Sequence, residues 1–377
     1  MKIRVCHFVN IITGKADGVY AHLKMIFKYV NPDKFQYYLV FQGNPEIEKE
    51  ISELGVKVYV IKSLNKKISL KTLIEFYSFI KEENIDIIHT HFLKPYAVGG
   101  IVNIFLKRKM IFNYHGLFIN NLYNSVIEKI IYRISHLLIY FFKAVNTAVV
   151  PSFSSKKILM QETKLFPTIN VYYNGYDINK STEEKNIVNY LLKLRKSYYL
   201  IAVVARLYFE KRIDIALEIL DKISETHKNV FFVFFGDGPL EQEMKDLAKT
   251  LRIEDKTKFL GYVSNACIYL KYFDLSLLTS DREGMPITLW EAMASSLPII
   301  ASDVGGLKEI IEKENCGIIY SPGNINDAAD AISNLLMDKK KREQMGNNGF
   351  LAVKDKYNSE TFSMFFENLY TSLIKKG

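Results

Sequence analysis

The sequence predicts an α/β protein with two doubly wound, Rossmann-like domains that face a cleft. In the first half, short runs rich in β-branched and aromatic residues alternate with longer segments of helical period, which is typical of a parallel sheet wrapped by helices. The same alternation restarts at Tyr199. A chain of 377 residues also exceeds what one hydrophobic core usually serves. Because ligands of open α/β sheets lie beyond the carboxyl ends of the strands, we expect both domains to point those ends at the cleft.

The strand signals divide the chain into four segments. Strands are predicted in the first half at 3–9, 37–41, 56–61, 85–89, 110–114, 147–150 and 170–173. In the second half they are predicted at 200–205, 230–236, 257–260, 275–278, 299–302 and 317–320. We therefore expect a first domain at 1–178, a polar connection at 179–197, a second domain at 198–357, and a terminal helix at 358–377.

Composition indicates an ordinary globular protein with an excess of positive charge. Apolar residues make up 49% and charged residues 24% of the chain, which disfavours disorder. A formal net charge of +9 fits either anionic partners or a generally basic surface. The lysines are spread along the chain, with no helix-turn-helix, RNP or zinc-finger spacing, so we expect no nucleic acid partner.

The cysteine pattern and the hydropathy of the sequence indicate the cellular compartment. The three cysteines, Cys6, Cys267 and Cys316, are far apart and show no CxxC pattern, which favours a reduced compartment and no structural zinc. The N-terminus lacks a typical signal-peptide core, and no apolar run is long enough to span a bilayer. We expect a cytoplasmic protein, either free or peripheral at the inner face of the plasma membrane.

One stretch, residues 280–306, carries the strongest chemical signal. Pro286 suits the first turn of a helix, so a helix should begin near Met285. The free backbone N–H groups of Ile287, Thr288 and Leu289, together with the helix dipole, would favour an anion such as a phosphate.

Two carboxylates flank this predicted helix start. Glu283 precedes it and Glu291 lies about one and a half turns along the helix. A diphosphate at the helix start would have a carboxylate on each side, and each could accept hydrogen bonds from hydroxyl groups. That layout suits a sugar nucleotide.

Two further loops at strand ends could approach a phosphate. Arg206 and Lys211 follow the strand at 200–205 and could neutralise a diphosphate, although a solvated charge cluster that opens a helix is the alternative. Gly14 and Gly18 follow the first strand but do not complete G-x-G-x-x-G, so an ordinary βα loop fits them as well as a phosphate loop does.

The histidines at strand ends are weaker candidates. His89 and His91 share one face of a strand, but no third ligand is evident, and strand-end histidines are more often satisfied by backbone carbonyls than by a metal. His115 is followed by Gly116, which leaves room for a ligand, so His115 is a candidate site residue. There is no D-x-D and no convincing metal-ligand spacing, so we expect no metal cofactor.

The apolar stretch at 123–143 is interrupted by charges. A buried helix is the favoured interpretation, and a helix lying on an anionic bilayer is the alternative. The residues at 236–239, Gly-Asp-Gly-Pro, favour a tight turn whatever the function.

Taken together, these stretches resemble the family-four (group 1) glycosyltransferases, nucleotide-sugar-dependent enzymes of GT-B architecture. In the second domain the resemblance rests on ARLYFEKRID, FFGDGP, FLGYV, EGMPITLWE and PIIASDVGGLKEII, in family order and spacing. In the first domain it rests more loosely on DIIHTHF, YHG, AVVPSFSSKKIL and YYNGYD.

The resemblance implies that 1–178 binds the acceptor, that 198–357 binds the nucleotide-sugar donor, and that the terminal helix crosses back to the first domain. It also implies roles for single residues. Arg206 and Lys211 would bind the donor diphosphate, Glu291 the ribose, and Glu283 the hydroxyls of the transferred sugar. The backbone N–H groups of Ile287 to Leu289 would contact the phosphates, and Met285 would belong to the same donor site. Gly14 would belong to the loop over the phosphates, and His115 would lie near the donor sugar. The group expected to act in catalysis is therefore Glu283, His115, Arg206 and Lys211.

The predicted function is retaining transfer of a sugar from a nucleoside diphosphate sugar, which we expect to be a UDP-sugar, to a hydroxyl of a glycan or lipid-linked acceptor. Retention follows from the family alone. One alternative is a sugar-nucleotide epimerase or hydrolase of the same fold. Another is a nucleotide-sugar-binding subunit without catalysis, which the presence of all four charged residues disfavours.

Overall fold

The protein consists of two compact α/β units. The computed structural model describes residues 2–12, 14, 18–65, 68–115, 126–163, 166–177 and 183–375. The first unit comprises Met1–Gly175 and Ser359–Gly377, and the second comprises Tyr176–Asn358. Each unit has a parallel sheet with helices on its faces, which confirms the predicted fold class.

The first unit contains a seven-stranded parallel sheet in the order β3-β2-β1-β4-β5-β6-β7. Its strands are β1 (Ile3–Phe8), β2 (Phe35–Phe41), β3 (Lys57–Val60), β4 (Ile87–His91), β5 (Lys109–Asn113), β6 (Thr147–Val150) and β7 (Ile169–Val171). Its helices are α1 (Gly18–Tyr29), α2 (Pro45–Glu53), α3 (Leu70–Glu82), α4 (Leu93–Leu106), α5 (Val126–Phe141) and α6 (Phe153–Glu162), with the C-terminal helix α14 (Ser359–Lys375).

The second unit contains a six-stranded parallel sheet in the order β10-β9-β8-β11-β12-β13. Its strands are β8 (Tyr199–Val204), β9 (Val230–Phe235), β10 (Thr257–Phe259), β11 (Leu275–Leu278), β12 (Ile299–Ser302) and β13 (Gly317–Tyr320). Its helices are α7 (Lys185–Leu194), α8 (Ile213–Ser224), α9 (Glu241–Thr250), α10 (Ile287–Ala294), α11 (Leu307–Glu314), α12 (Ile325–Met337) and α13 (Lys339–Asp355).

The C-terminal helix α14 covers one face of the first sheet. Its Phe362, Phe366 and Tyr370 are buried in the same apolar cluster as residues of β1, β2 and α1. Every second residue of a strand points to the same face, so this is also the face onto which His7, His89 and His91 project. The last segment of the chain is therefore part of the core of the first unit.

Two segments differ from the sequence prediction. The stretch 179–197, expected to be a connection, contains α7, whose Leu191 is fully buried in the second unit. The apolar stretch at 123–143, expected to be a buried helix, begins outside the described residues. Its described part, α5, buries only one side, and Leu137 and Phe141 are 58% and 77% exposed. A helix packed on a sheet usually buries an apolar face and exposes a polar one. In α5 the exposed face is apolar as well.

No helix in the described part of the chain combines the length and the apolar character needed to cross a membrane.

Candidate functional site

Lys211 and Glu283 form the centre of the candidate site in the second unit. The Lys211 Nζ lies 2.5 Å from the Glu283 Oε1, and the two side chains are only 17% and 10% exposed. The hydroxyl of Ser280 donates to the same carboxylate oxygen at 2.7 Å. The sequence predicted a role for each charged group, and the structure brings both to one point.

The loop that carries Lys211 is fastened to the loop that precedes α10. Arg212 donates to both carboxylate oxygens of Asp214 and of Asp281, at 2.9–3.2 Å. Hydrogen bonding to Asp214, followed by that to Asp281, raises the pKa of Arg212 above its usual range. The hydroxyl of Thr279 donates to the Lys211 carbonyl at 2.9 Å. The sequence alone assigned no role to Arg212, because its partner Asp281 is remote in the chain.

Glycines allow close backbone contacts on both sides of this pair. Gly305 has a φ of +58°, and a Cβ there would lie 2.1 Å from the Glu283 carbonyl oxygen. The Gly306 amide donates to the Gly284 carbonyl at 2.9 Å. Gly236 is equally restricted, since a Cβ would lie 2.0 Å from the Ala205 carbonyl oxygen. The Gly-Asp-Gly-Pro turn therefore positions the loop after β8.

The helix start is real but lies slightly later than predicted. Helix α10 begins at Ile287, and Pro286 is its cap, with φ −70° and an extended ψ of 142°. The Leu289 amide donates to the Pro286 carbonyl at 3.2 Å, so the expectation that this amide is free for a phosphate is wrong. Ile287 and Thr288 supply the first two amides of the helix. The Met285 side chain is 7% exposed and is part of the core.

Glu291 lies along α10 in a different environment from Glu283. It is half-buried, and burial raises the pKa of its carboxyl to about 7. No cation pairs with it within the described residues. Its charge contributes, after burial, to raising the pKa of Tyr176 and of Cys267, which are hydrogen-bonded to each other. Neither neighbour could be placed beside Glu291 from the sequence, because both are remote from it in the chain.

Arg206 is the most exposed of the predicted site residues in this unit. Its guanidinium lies 3.5 Å from Glu210, with its side chain 56% exposed, and 4.9 Å from the centre of the Tyr208 ring. Such an exposed contact between residues four apart is weak. The side chain is therefore free to turn toward an anion at little cost.

In the first unit, Gly14 and His115 both follow strands of the sheet. A Cβ at Gly14 would meet no atom within 4 Å, so packing does not require glycine there. Residues 13 and 15–17 lie outside the described part, as does Gly116. His115 lies two residues after the end of β5, and burial lowers its pKa well below the usual value.

His115 belongs to a cluster that sequence analysis did not foresee. His7, His89 and His91 are fully buried, and each has a ring nitrogen within 4.8 Å of one in the other two. The expectation that His89 and His91 lack a third partner is therefore wrong. The missing signal was strand register: β1 pairs with β4 so that His7 lies opposite His89.

The second unit can hold a diphosphate and hydroxyl groups together. Lys211, Arg206 and the two amides at the start of α10 provide the positive electrostatic potential that favours phosphate binding. Glu283 and Glu291 can accept hydrogen bonds from hydroxyls.

A fold of two Rossmann-like units with such a site defines the GT-B class of glycosyltransferases. Residues 16–180 match the family model described as Glycosyltransferase Family 4, and residues 191–351 match Glycosyl transferases group 1. Together the two models match most of the chain, which belongs to the family-four, group 1 glycosyltransferases. The protein is a glycosyltransferase.

Known proteins resemble the whole chain. An uncharacterised glycosyltransferase of Methanocaldococcus jannaschii is 28% identical, with 98% of this chain and 90% of the relative covered. The UDP-Gal:alpha-D-GlcNAc-diphosphoundecaprenol alpha-1,3-galactosyltransferase of Escherichia coli is 25% identical, with 94% of each covered. The crystal structure of Anabaena HepE in complex with UDP has a TM-score of 0.80 at 20% identity and covers 99% of this chain and 100% of that one.

Proposed function

We propose that this glycosyltransferase moves a sugar, with retention of configuration and without a metal, from a UDP-sugar to a hydroxyl of a glycan or lipid-linked acceptor. Such a reaction would serve the synthesis of cell-surface polysaccharide or glycolipid. The observation that carries the proposal is the Lys211–Glu283 pair, held 2.5 Å apart just before the start of α10. A cation and a carboxylate beside one helix start can bind, respectively, a phosphate and the hydroxyls of the sugar joined to it.

Each residue has a role in donor binding. Lys211, Arg206 and the amides of Ile287 and Thr288 bind the diphosphate. Glu283 exchanges part of its contact with Lys211 for hydroxyls of the transferred sugar. Glu291, which pairs with no cation among the described residues, accepts hydrogen bonds from the ribose. It is more fully ionised once those bonds form, since hydrogen bonds to a carboxylate favour its charged form.

The proposed reaction breaks the bond between the anomeric carbon and the phosphate oxygen and forms a bond from that carbon to the acceptor oxygen. The electron pair of the broken bond stays on UDP, where Lys211 and the helix start stabilise the charge. The acceptor hydroxyl attacks the face that UDP leaves and passes its proton to the departing phosphate. Retention follows from this same-face attack.

Two relatives support the choice of ligands. The Escherichia coli enzyme carries UDP-Gal and a diphosphoundecaprenol in its name, and the Anabaena protein was crystallised with UDP. The chain's lack of D-x-D and its Lys211 support metal independence.

Turnover of a panel of UDP- and GDP-sugars, with lipid-linked and soluble acceptors and EDTA present, tests the proposal. We expect one UDP-sugar to be consumed only with an acceptor, and NMR of the product to show the anomeric configuration of the donor. Consumption without an acceptor would identify a hydrolase or epimerase instead. Loss of turnover in EDTA or an inverted product would contradict the corresponding part of the proposal.

We further propose that the enzyme works at the inner face of the plasma membrane, with α5 on the lipid surface. Five large apolar residues recur at helical spacing on the outer side of α5. Phe141 is 77% exposed, and the other four are 42–58% exposed: Ile130, Ile134, Leu137 and Leu138. Isolated exposed apolar residues are ordinary, but a continuous face of this kind marks an interaction surface.

Basic residues accompany this face. Lys129 and Arg133 lie on α5, and Lys143 follows it. An amphipathic helix with cations beside an apolar face binds the boundary of an anionic bilayer. This supports a membrane location, where a lipid-linked acceptor would be within reach.

Sedimentation with liposomes tests the membrane proposal. We expect binding to vesicles with anionic lipid, weaker binding to neutral vesicles, and loss of binding in the double variant Ile134→Glu/Leu137→Glu. Met337→Glu is the matched control, because Met337 is 79% exposed on a helix of the second unit. Equal binding of the double variant and the wild type would contradict the assignment of α5.

A further inference from the structure

Two donors of the protein share one carboxylate oxygen of Glu283. The Lys211 Nζ lies 2.5 Å from the Glu283 Oε1, and the Ser280 hydroxyl donates to the same atom at 2.7 Å. A carboxylate oxygen has two lone pairs, so the Oε1 can accept both hydrogen bonds. This oxygen is therefore fully occupied by groups of the protein.

The other oxygen, Oε2, is left for a further donor. It accepts from no group within the described part of the chain. It is also not one of the side-chain atoms that are buried without a partner, so it is open to a ligand. Because the Glu283 side chain is only 10% exposed, the carboxylate reaches a ligand through this oxygen.

Ser280 is held in place independently of Lys211. It lies two residues after β11 and is 4% exposed. Its carbonyl accepts a hydrogen bond of 2.6 Å from the hydroxyl of Ser302, at the end of the neighbouring strand β12. The next amide, that of Asp281, donates to the Glu210 carbonyl at 2.9 Å. Both polar groups of the peptide that follows Ser280 are thus hydrogen-bonded, which fixes the position from which its hydroxyl donates.

A bound phosphate acts differently on the two donors. In the proposed function Lys211 turns its charge toward the diphosphate, which draws it away from Glu283. The Ser280 hydroxyl is neutral and has no other partner in the described part of the chain. It therefore stays on the carboxylate when Lys211 leaves. A glutamate without either donor would regain rotamer freedom, which it would lose again on binding a ligand.

We propose that Ser280 is a positioning residue that holds the Glu283 carboxylate while Lys211 engages the diphosphate, so that the Oε2 accepts a hydrogen bond from a hydroxyl of the transferred sugar. The inference rests on the proposed function for its ligand. Ser280 acts through Glu283 and contacts neither the sugar nor the phosphates. Its loss should therefore weaken binding of the sugar part of the donor and leave binding of the UDP part unchanged.

Calorimetric titration of the full chain with UDP, UDP-galactose, UDP-glucose and UDP-N-acetylglucosamine tests the proposal. We expect Ser280→Ala to bind UDP with the wild-type affinity. We expect it to bind at least one of the three UDP-sugars about tenfold more weakly than the wild type does, as loss of a hydrogen bond to a charged group predicts. Unchanged affinity for all three UDP-sugars, or an equal loss for UDP itself, would overturn the proposal.

Ser280→Thr and Ser224→Ala are the matched variants. Threonine keeps the hydroxyl and should restore most of the affinity for the UDP-sugar. Ser224 is 8% exposed on α8, and its hydroxyl has no partner within the described residues. Ser224→Ala thus removes a buried hydroxyl that holds no carboxylate, and we expect the wild-type affinity for all four nucleotides. A folded Ser280→Thr as weak as Ser280→Ala, or an equal loss in Ser224→Ala, would contradict the role of the Ser280 hydroxyl.

Urea unfolding tests the hydrogen bond without any ligand. Because Ser280 and Glu283 are in contact, the stability loss in Ser280→Ala/Glu283→Ala should be smaller than the sum of the two single losses. Additive losses would mean that Ser280 does not hold the carboxylate in the folded protein.

Failure of this inference is distinguishable from failure of the proposed function. A wild type that binds none of the four nucleotides would reject the donor site, whereas the urea experiment would still report on the contact of Ser280 with Glu283. Binding of UDP to the wild type, together with an unchanged affinity of Ser280→Ala for every UDP-sugar, would reject only the positioning role.

Discussion

Lys211 and Glu283 are 72 positions apart in the sequence, yet their charged groups form a close ion pair. In the proposed reaction, Lys211 stabilises the charge that develops on UDP. We expect Lys211→Ala to lower kcat by about a hundredfold or more, as loss of one preorganised charge does. Because the pair acts as a unit, Glu283→Gln added to Lys211→Ala should cost less than the sum of the two single losses.

Lys245→Ala is the control for Lys211→Ala. Lys245 also pairs with a glutamate, Glu241, at 2.6 Å, but on the exposed helix α9. Its removal should leave turnover unchanged. Wild-type turnover in Lys211→Ala would refute the diphosphate assignment.

Glu291 combines a functional role with a cost in stability. Its pKa is raised to about 7 in the folded protein by burial. Because the Glu291 carboxyl holds its proton more tightly in the folded protein, its protonated form contributes to stability. This contribution is fully present below the pKa that the carboxyl has in the unfolded chain, and it is lost as pH rises through 7. We expect Glu291→Gln to raise the thermal midpoint at pH 8, where the charged group is costly, by more than at pH 5, and to weaken UDP binding.

Thermal unfolding at the two pH values checks this prediction, with Glu243→Gln as the control. Glu243 is exposed on α9 and should show no such pH dependence. An equal effect of Glu291→Gln at both pH values would show that Glu291 is not held in the buried state described.

At the scale of elements, the turn before α10 depends on the loop after β12. Gly305→Ala would place a Cβ 2.1 Å from the Glu283 carbonyl oxygen, in addition to the strain of its φ of +58°. Gly323→Ala has comparable strain, with φ +76°, but meets no atom within 4 Å. We expect Gly323→Ala to cost on the order of 1 kcal/mol and Gly305→Ala distinctly more, with a fall in kcat.

Urea unfolding and turnover of the two alanine variants separate backbone strain from the steric contact. Equal losses in both, with normal turnover, would mean that the loop after β12 does not hold Glu283 in place.

The positions of helices and strands along the chain could be predicted from the sequence more directly than what surrounds them in the fold. The runs at 147–150, 275–278, 299–302 and 317–320 were predicted with the observed bounds, because each is a short apolar run with clear turn residues around it. Helix α10 begins later than predicted, since Pro286 adopts an extended ψ that its fixed φ does not determine. A buried helix was favoured for the stretch that contains α5, with a helix on a bilayer as the alternative, because an apolar residue has the same sequence signature whether it faces a core or a lipid surface.

At the scale of the whole molecule, the histidine cluster makes the first unit sensitive to acid. Burial depresses these pKa values, so the unfolded chain binds protons from about pH 6.5 downward, before the folded chain does. Stability should therefore fall between pH 6.5 and 4, by on the order of several kcal/mol. We expect His22→Gln to lessen this loss, and His227→Gln, which changes a surface histidine beside Thr226, to leave it unchanged.

Calorimetry at pH 7 and pH 5 measures the effect, since the first unit should unfold at a lower temperature in acid. The same midpoint at both pH values would contradict a neutral, buried cluster.

The charged residues of the proposed donor site could be singled out from one sequence, and most of their contacts could not. Arg206, Lys211, Glu283 and Glu291 stand out as charges at strand and helix ends. The clamp of Arg212 on Asp281, the cysteine and tyrosine beside Glu291, and the alignment of His7 with His89 all depend on contacts between distant strands. Strand order and register, which decide those contacts, are set by packing of the whole unit.

The central claim is that UDP binds at the start of α10 through Lys211. Calorimetric titration of UDP, with EDTA present, into the wild type, Lys211→Ala and Lys245→Ala tests it most directly. We expect binding to the wild type and to Lys245→Ala with the same affinity, and binding at least tenfold weaker to Lys211→Ala. Equal affinity of all three proteins for UDP would contradict the account.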